Sequence, residues 1–264
     1  MLQRVTSGDG THIAFERFGE GPPVILVGGA TTDRAMTRPL AEELAQRFTA
    51  INYDRRGRGD SGDTQPYAVE REIEDLDVLI AESGGAASVY GHSSGTGLAL
   101  QAAAHGVPIA RLALHEPPYV PDDAEERRIS QEYGEELRTI LAEDRRGDAV
   151  ALFMVTVGTP EDVVEGWRTE PWWAGMERVA PTLLYDSEVM GDIRRGGTVP
   201  TDIFSAVRMP TLVLFGGASP GWMGEVGRKI ADGLPDGRFG VLEGQDHVVP
   251  PEILAPVLTK FFAG

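Results

Sequence analysis

An α/β fold, with a mainly parallel sheet covered by helices on both faces and a helical insertion, is predicted by two observations. Short apolar runs alternate with stretches of helical periodicity along most of the chain. That rhythm breaks over residues about 117–205, which read as helical with no convincing strand, and resumes at TLVLF (211–215).

Taken in order, LQRVTS (2–7) and HIAFERFG (12–19) flank Gly8-Asp9-Gly10 and read as a β-hairpin. VILVGG (24–29) is a buried strand, and a helix follows over about 35–47 with Leu40, Leu44 and Phe48 at four-residue spacing. TAINYD (49–54) is the next strand. The helix over about 68–83 puts Val69, Ile73, Leu76, Leu79 and Ile80 on one face. ASVYG (87–91) is a strand, about 94–105 a helix of small residues, and IARLALHE (109–116) a strand. In the insertion, residues 122–146 are strongly charged with a helical stripe of Ile129, Tyr133, Leu137, Ile140 and Leu141. After TLVLF come a helix over about 222–233, the strand RFGVLEG (238–244) and a closing helix over about 251–262. The expected organisation is a core of residues 1–116 and 206–264 with a helical cap, 117–205, over the carboxyl ends of the strands, where open α/β sheets bind ligands.

Composition narrows the partners. The net charge of −17, from 24 basic and 41 acidic residues, repels phosphate backbones and anionic lipid surfaces, so neither nucleic acid nor a membrane is an expected partner. Solubility alone accounts for such acidity. The chain has no cysteine, which excludes disulfides, thiolate chemistry and cysteine-ligated metals. MLQRVTSGDGTHIAF lacks the basic and apolar regions of a secretory signal, and no apolar run approaches the roughly 20 residues of a membrane span. A cytoplasmic location fits these features.

Gly91-His92-Ser93-Ser94-Gly95 follows a strand and opens a helix, the context a G-x-S-x-G motif requires. The sharp reversal holds the central serine in a strained conformation with its hydroxyl exposed, and side chains two residues either side would clash. Gly91, Gly95 and Gly97 meet that demand. A merely tight turn would use the same glycines; the strand–turn–helix setting favours a nucleophile at Ser93. The Ser94 amide starts the following helix, and the Ala30 amide follows VILVGG, where Gly28 and Gly29 permit close approach. These two are the candidate donors to an oxyanion. Of the five histidines, His247 in GQDHVVP (244–250) is the candidate base, lying between the last strand and the closing helix. His12 lies in the hairpin, His92 points away from Ser93, His105 ends a helix, and His115 faces the opposite side of its strand from Glu116.

With these residues in place the chain resembles the α/β-hydrolase fold superfamily over essentially its whole length, and NYDRRGRGDSGD (52–63) is similar to that superfamily's loop after the fourth strand. The resemblance implies an eight-stranded sheet, a helical cap after strand six, and a triad in chain order nucleophile–acid–histidine. In most relatives the acid follows strand seven, and by alignment of GGASP that position is Ser219, which cannot carry a charge. Loss of the acid costs on the order of 10⁴ in rate, about 5.5 kcal/mol of barrier. Glu116, at the tip of strand six, is the candidate replacement, as in certain haloalkane dehalogenases; capping a helix or pairing with an arginine are its ordinary alternatives. Asp246, beside His247, is the lesser candidate.

The expected function is therefore hydrolysis of a small, largely apolar ester or related acyl compound, with Ser93, His247 and Glu116 as the triad and no cofactor or metal implied. A cofactor-free haloperoxidase or lyase on the same fold, or a non-catalytic ligand-binding relative, are the alternatives. Gly57-Arg58-Gly59-Asp60-Ser61-Gly62 matches G-x-G-x-x-G, but Asp63-Thr64-Gln65-Pro66 intervenes before any helix, so it is not read as a dinucleotide site. Asp54 is expected to pair with Arg55 or Arg56. Phe153, Met154, Trp167, Trp172, Trp173, Met176, Tyr185 and Met190 are expected mostly in the insertion's own core, with any that face the elbow lining an apolar pocket. The oligomeric state is left open.

Overall fold

β1 (Leu2–Thr6) and β2 (His12–Phe18) form the antiparallel hairpin expected around Gly8-Asp9-Gly10. This computed structural model describes residues 1–264. β3 (Pro23–Val27), α1 (Arg34–Leu44), β4 (Thr49–Tyr53), α2 (Val69–Glu82), β5 (Ala87–His92), α3 (Ser94–Ala104) and β6 (Ile109–His115) follow in the predicted rhythm. Helices α4 (Ala124–Ala142), α5 (Arg146–Thr156), α6 (Glu161–Trp167), α7 (Trp173–Val179), α8 (Leu183–Met190) and α9 (Asp192–Arg195) occupy the interval before β7 (Thr211–Gly216). α10 (Gly221–Gly233), β8 (Gly237–Leu242) and α11 (Pro251–Phe262) complete the chain. The strands make one sheet in the order β1-β2-β4-β3-β5-β6-β7-β8, antiparallel at the β1–β2–β4 edge and parallel elsewhere.

Each face of the sheet is buried by the stripe its helices present. Val69, Ile73, Leu76, Leu79 and Ile80 of α2 join residues of α3 and α10 in one core cluster. Leu40, Ala41 and Leu44 of α1 join Leu254, Leu258, Phe261 and Phe262 of α11 on the other face. The segment between β6 and β7 has a third cluster, built on Leu137, Ile140, Val150, Val164, Trp173 and Leu183. Its only ladder pairing is an isolated bridge, Val120 to Thr198.

The stripe of α4 departs from the expected one only at its N-terminal end, while Leu137 and Ile140 are buried as expected. Ile129 is 43 % exposed, while Ser130, Gly134, Leu137 and Ile140 face inward. Gly134 explains the turn: a Cβ there would lie 2.7 Å from Ile193 Cγ1, so α9 seats against α4 at that glycine and rotates Ile129 outward.

That seating buries Asp192 beside Ser130 Oγ, 3.1 Å away. Burial pushes its carboxyl up to about 6, against hydrogen bonds from Ser187 and Ser130, with the Asp186 charge adding to the rise. A raised acid is penalised once ionised: the loss builds as pH climbs from about 4 and is complete above about 6. Asp192→Asn therefore raises the melting temperature at pH 8 by several degrees, on the order of 2 kcal/mol, with no gain at pH 4. Thermal melts of both proteins at the two pH values check this; an equal shift at both would refute the assignment.

Parallel register sets the row on which the site is built. Val27 pairs with Gly91, and Gly91 with Leu114. Two residues further along each strand, Gly29, Ser93 and Glu116 lie abreast at the carboxyl ends of three adjacent strands.

Candidate active site

Ser93 stands between β5 and α3 with φ 53° and ψ −129°. Four non-glycine residues have positive φ, and three of them, Thr31, Ser93 and Glu116, lie in the segments that leave β3, β5 and β6 at their carboxyl ends. Strain held at one place in the fold marks a position that the surroundings over-determine. The glycine frame follows the turn: a Cβ on Gly91 would lie 2.7 Å from Gly95 O, and one on Gly95 would lie 2.5 Å from Val27 O. The second contact packs α3 onto the loop after β3.

Glu116 is 1 % exposed and anchored at both oxygens. Oε1 accepts the Gly216 amide at 2.8 Å, and Oε2 lies 2.6 Å from His247 Nδ1. Burial pushes this carboxyl up, but hydrogen bonds from His247, Ser219 and Gly216 outweigh it and leave the pKa below the ordinary carboxylate value. Ser219, three residues past the end of β7, thus lies beside Glu116 and helps hold its pKa down. Asp246 is turned away, accepting the Val248 amide at 3.0 Å.

Three imidazoles stack along the strand ends. His92 lies 4.7 Å from His247 and 5.0 Å from His115 between ring centroids. His92 Nε2 donates to His247 O at 3.0 Å, which holds the loop carrying His247 over the end of β5. Burial and the neighbouring His247 lower His92 to about 4, and burial lowers His115 as well, so both flanking rings are neutral at pH 7. The structure joins Glu116 to His247 directly; Ser93 Oγ makes no hydrogen bond to the imidazole, and the two residues are linked through His92.

The Ala30 and Ser94 amides find no acceptor within the protein. Gly29 brings them to the serine: a Cβ on Gly29 would lie 2.9 Å from Ser93 Cβ.

Sequence reading missed the charged layer beneath this row. Asp54 pairs with Arg34, not with Arg55 or Arg56, because its carboxylate turns back to accept the Arg34 and Asp60 amides at 2.8 Å each. Arg55 instead makes two 2.7 Å bonds to Glu72, and a third to Asp186 Oδ1. Arg58 reaches Asp186 Oδ2 at 2.8 Å, and Ser94 Oγ donates to Asp186 Oδ1 at 2.7 Å. Arg56 is held by Asp75 and Asp9. A signal for these pairs exists in the sequence: Glu72 and Asp75 lie inside the apolar face of α2, and Asp186 inside LLYDSEVM. A carboxylate in an apolar stripe needs a buried cation. Of the aromatic and methionine residues of the helical segment, Trp173 is in its core and Trp172 is 46 % exposed, while Met190 belongs to the main core under the sheet. A surface groove of about 750 Å³ between α10 and β8, lined by Phe215, Phe239 and Val241, contains none of the site residues. No group of three or more His, Asp or Glu side chains is arranged to hold a metal ion. No helix is long and apolar enough to cross a membrane.

The chain has counterparts among known proteins. Residues 24–253 match the model of the alpha/beta hydrolase family. The solved structure of an alpha/beta hydrolase from Sphaerobacter thermophilus superposes with a TM-score of 0.88 at 55 % identity, covering 98 % of this chain and all of that one. The 2-(acetamidomethylene)succinate hydrolase of Mesorhizobium japonicum is 30 % identical over 258 residues, 92 % of this chain and 88 % of that protein. A thermophilic esterase from Thermogutta terrifontis, solved with malate bound, superposes with a TM-score of 0.73 at 27 % identity, over 100 % of this chain and 98 % of its own.

Proposed function

This chain belongs to the alpha/beta hydrolase family, and from that premise we propose that it is a serine hydrolase of a small, largely apolar carboxylic ester or related acyl compound. Ser93 Oγ attacks the acyl carbon while His247 Nε2 takes its proton. The alkoxide or phenolate leaves with that proton, and the acyl group stays on Ser93. His247 then removes a proton from water, whose oxygen attacks the acyl carbon, and Ser93 departs reprotonated. Glu116 orients the imidazole through Nδ1 and stabilises its cationic form, and the amides of Ala30 and Ser94 receive the oxyanion.

The observation that carries this reading is the 2.6 Å hydrogen bond between Glu116 and His247, made abreast of a serine in a left-handed elbow. A hydrolase needs an imidazole fixed in the tautomer that leaves Nε2 bare, and a buried carboxylate on Nδ1 supplies that. The hydrogen bond from Ser93 to His247 is formed in the substrate complex, since catalytic hydrogen bonds commonly tighten only there. The strongly acidic chain disfavours polyanionic substrates, and the apolar preference rests on the aromatic and methionine residues of the helical segment. The esterase among its structural relatives agrees with ester chemistry.

A fluorophosphonate probe tests the reading. It should label the folded protein on Ser93, found by peptide mass, and p-nitrophenyl acetate should be turned over with a burst. Halide-dependent oxidation by peroxide without labelling would move the chain to the haloperoxidase branch, and inertness in both assays would make it a binding relative.

Gly29→Ala is a finer check. Its Cβ would press on Ser93 Cβ and, at 3.2 Å, on His92 O, so the β3 loop must withdraw and take the Ala30 amide with it. The expected result is a fall in kcat of about 10-fold to 100-fold, of the size seen when an oxyanion donor is weakened. An unchanged kcat would remove Ala30 from the assignment.

A further inference from the structure

We propose that Asp186, on the helical segment, and Arg58, in the loop after β4, are positioning residues for acyl transfer: with Ser94 Oγ they hold the two peptide groups whose amides receive the oxyanion. The inference rests on the serine-hydrolase reading and deepens it by naming what sets the oxyanion site.

The Ala30 amide belongs to the peptide whose carbonyl is Gly29 O. That oxygen accepts Arg58 Nη1 at 2.5 Å and Thr32 Oγ1 at 2.8 Å. In a trans peptide the C=O and N–H point in opposite directions. Two donors behind the carbonyl therefore fix the plane in which the Ala30 N–H faces forward, and polarise the group so that it donates more strongly. The Ser94 amide belongs to the peptide whose carbonyl is Ser93 O, which accepts Thr96 N at 2.9 Å and Thr96 Oγ1 at 2.6 Å. Ser94 is fixed a second time through its own hydroxyl, on Asp186 Oδ1. The other oxygen of Asp186 holds Arg58. One carboxylate on α8, distant in the chain from both loops, thus ties the two walls together.

The charges make this tie specific. Arg58 is 1 % exposed, and Asp186 is its only carboxylate partner, whereas Arg55 keeps Glu72 if Asp186 is lost. α8 cannot withdraw without leaving Arg58 buried and unpaired, so it stays with the sheet while helices α4 to α7 carry no such tie to the elbow. Arg56 with Asp75 is another buried pair, Arg56 having Asp9 as a second partner, that touches neither loop, and it separates positioning from simple stability.

The experiment compares Arg58→Lys, Ser94→Ala, Asp186→Asn and the control Asp75→Asn in the full chain. Each is assayed for kcat and KM with p-nitrophenyl acetate, for inhibition by an aryl trifluoromethyl ketone, and for melting temperature. The ketone accepts Ser93 Oγ at its carbonyl carbon and leaves an oxyanion, so it reads the site directly. Arg58→Lys and Ser94→Ala should lower kcat about 5-fold to 50-fold with KM within threefold, and weaken the ketone in proportion; Asp186→Asn should lower kcat about 100-fold. Asp75→Asn should lower the melting temperature and leave kcat within twofold. The proposal is overturned if Arg58→Lys and Ser94→Ala keep both kcat and ketone affinity within twofold, or if Asp75→Asn matches their losses. Should Asp186→Asn not fold, those two variants decide. A wild type that neither turns over the ester nor takes the fluorophosphonate label overturns the hydrolase reading itself, a result told apart by the inertness of the unmutated chain.

Discussion

Ser93→Ala lowers kcat for p-nitrophenyl acetate by about 10⁴ to 10⁶, on the order of 5.5 to 8 kcal/mol of barrier. The variant retains the Ala30 and Ser94 amides and the Glu116–His247 pair, so on the proposed mechanism only unassisted attack by water remains. The fold survives, because Ser93 Oγ makes no structural hydrogen bond and alanine occupies less space at the elbow. Alanine does not relieve the left-handed φ of 53°; glycine does. Ser93→Gly should therefore be equally inactive and melt higher, by a few degrees for a gain of about 1 kcal/mol. Steady-state turnover and thermal melts of the two variants measure both effects. Retention of more than about one per cent of wild-type kcat by Ser93→Ala would end the nucleophile assignment.

Glu116→Gln lowers kcat by about 10⁴ with little change in KM. The glutamine amide donates to Nδ1 where the carboxylate accepted from it, so the imidazole proton moves to Nε2 and the atom that must take the serine proton is occupied. Glu116→Asp keeps the charge but withdraws it by one methylene from an optimum of 2.6 Å, and should fall between wild type and Gln. The stability of the pair has a defined sign. A carboxyl whose folded pKa lies below its ordinary value contributes above that value and loses the contribution as pH falls through the folded one. Glu116→Gln should therefore narrow the gap between melts at pH 7 and pH 3. Undiminished esterase activity in Glu116→Gln would show that the acid lies elsewhere, whatever the fate of Ser93.

Element type and order were open to local reading because each rests on a short window. The apolar runs became strands within one or two residues of their expected ends, and the face of α2 was identified correctly from Val69 to Ile80. The elbow was legible for the same reason: its glycines answer clashes within a few residues of Ser93. Local reading failed where a distant partner chose among local options. Ile129 belonged to a plausible stripe until α9 seated at Gly134. Asp54 lay beside two arginines and paired with Arg34, since the charges of Arg55 and Arg56 were already met by α2.

The sequence by itself determined the α/β architecture, the serine in its glycine frame, the late histidine and the want of a carboxylate after strand seven. These depend on periodicity, backbone sterics and residue identity, which act over a few residues. Tertiary structure alone decided which carboxylate meets His247, and that a residue of the helical segment, Asp186, underlies Ser94 and Arg58. Those meetings depend on the register of parallel strands joined through helices and on buried charges finding partners far along the chain, and neither is written in any short stretch of residues.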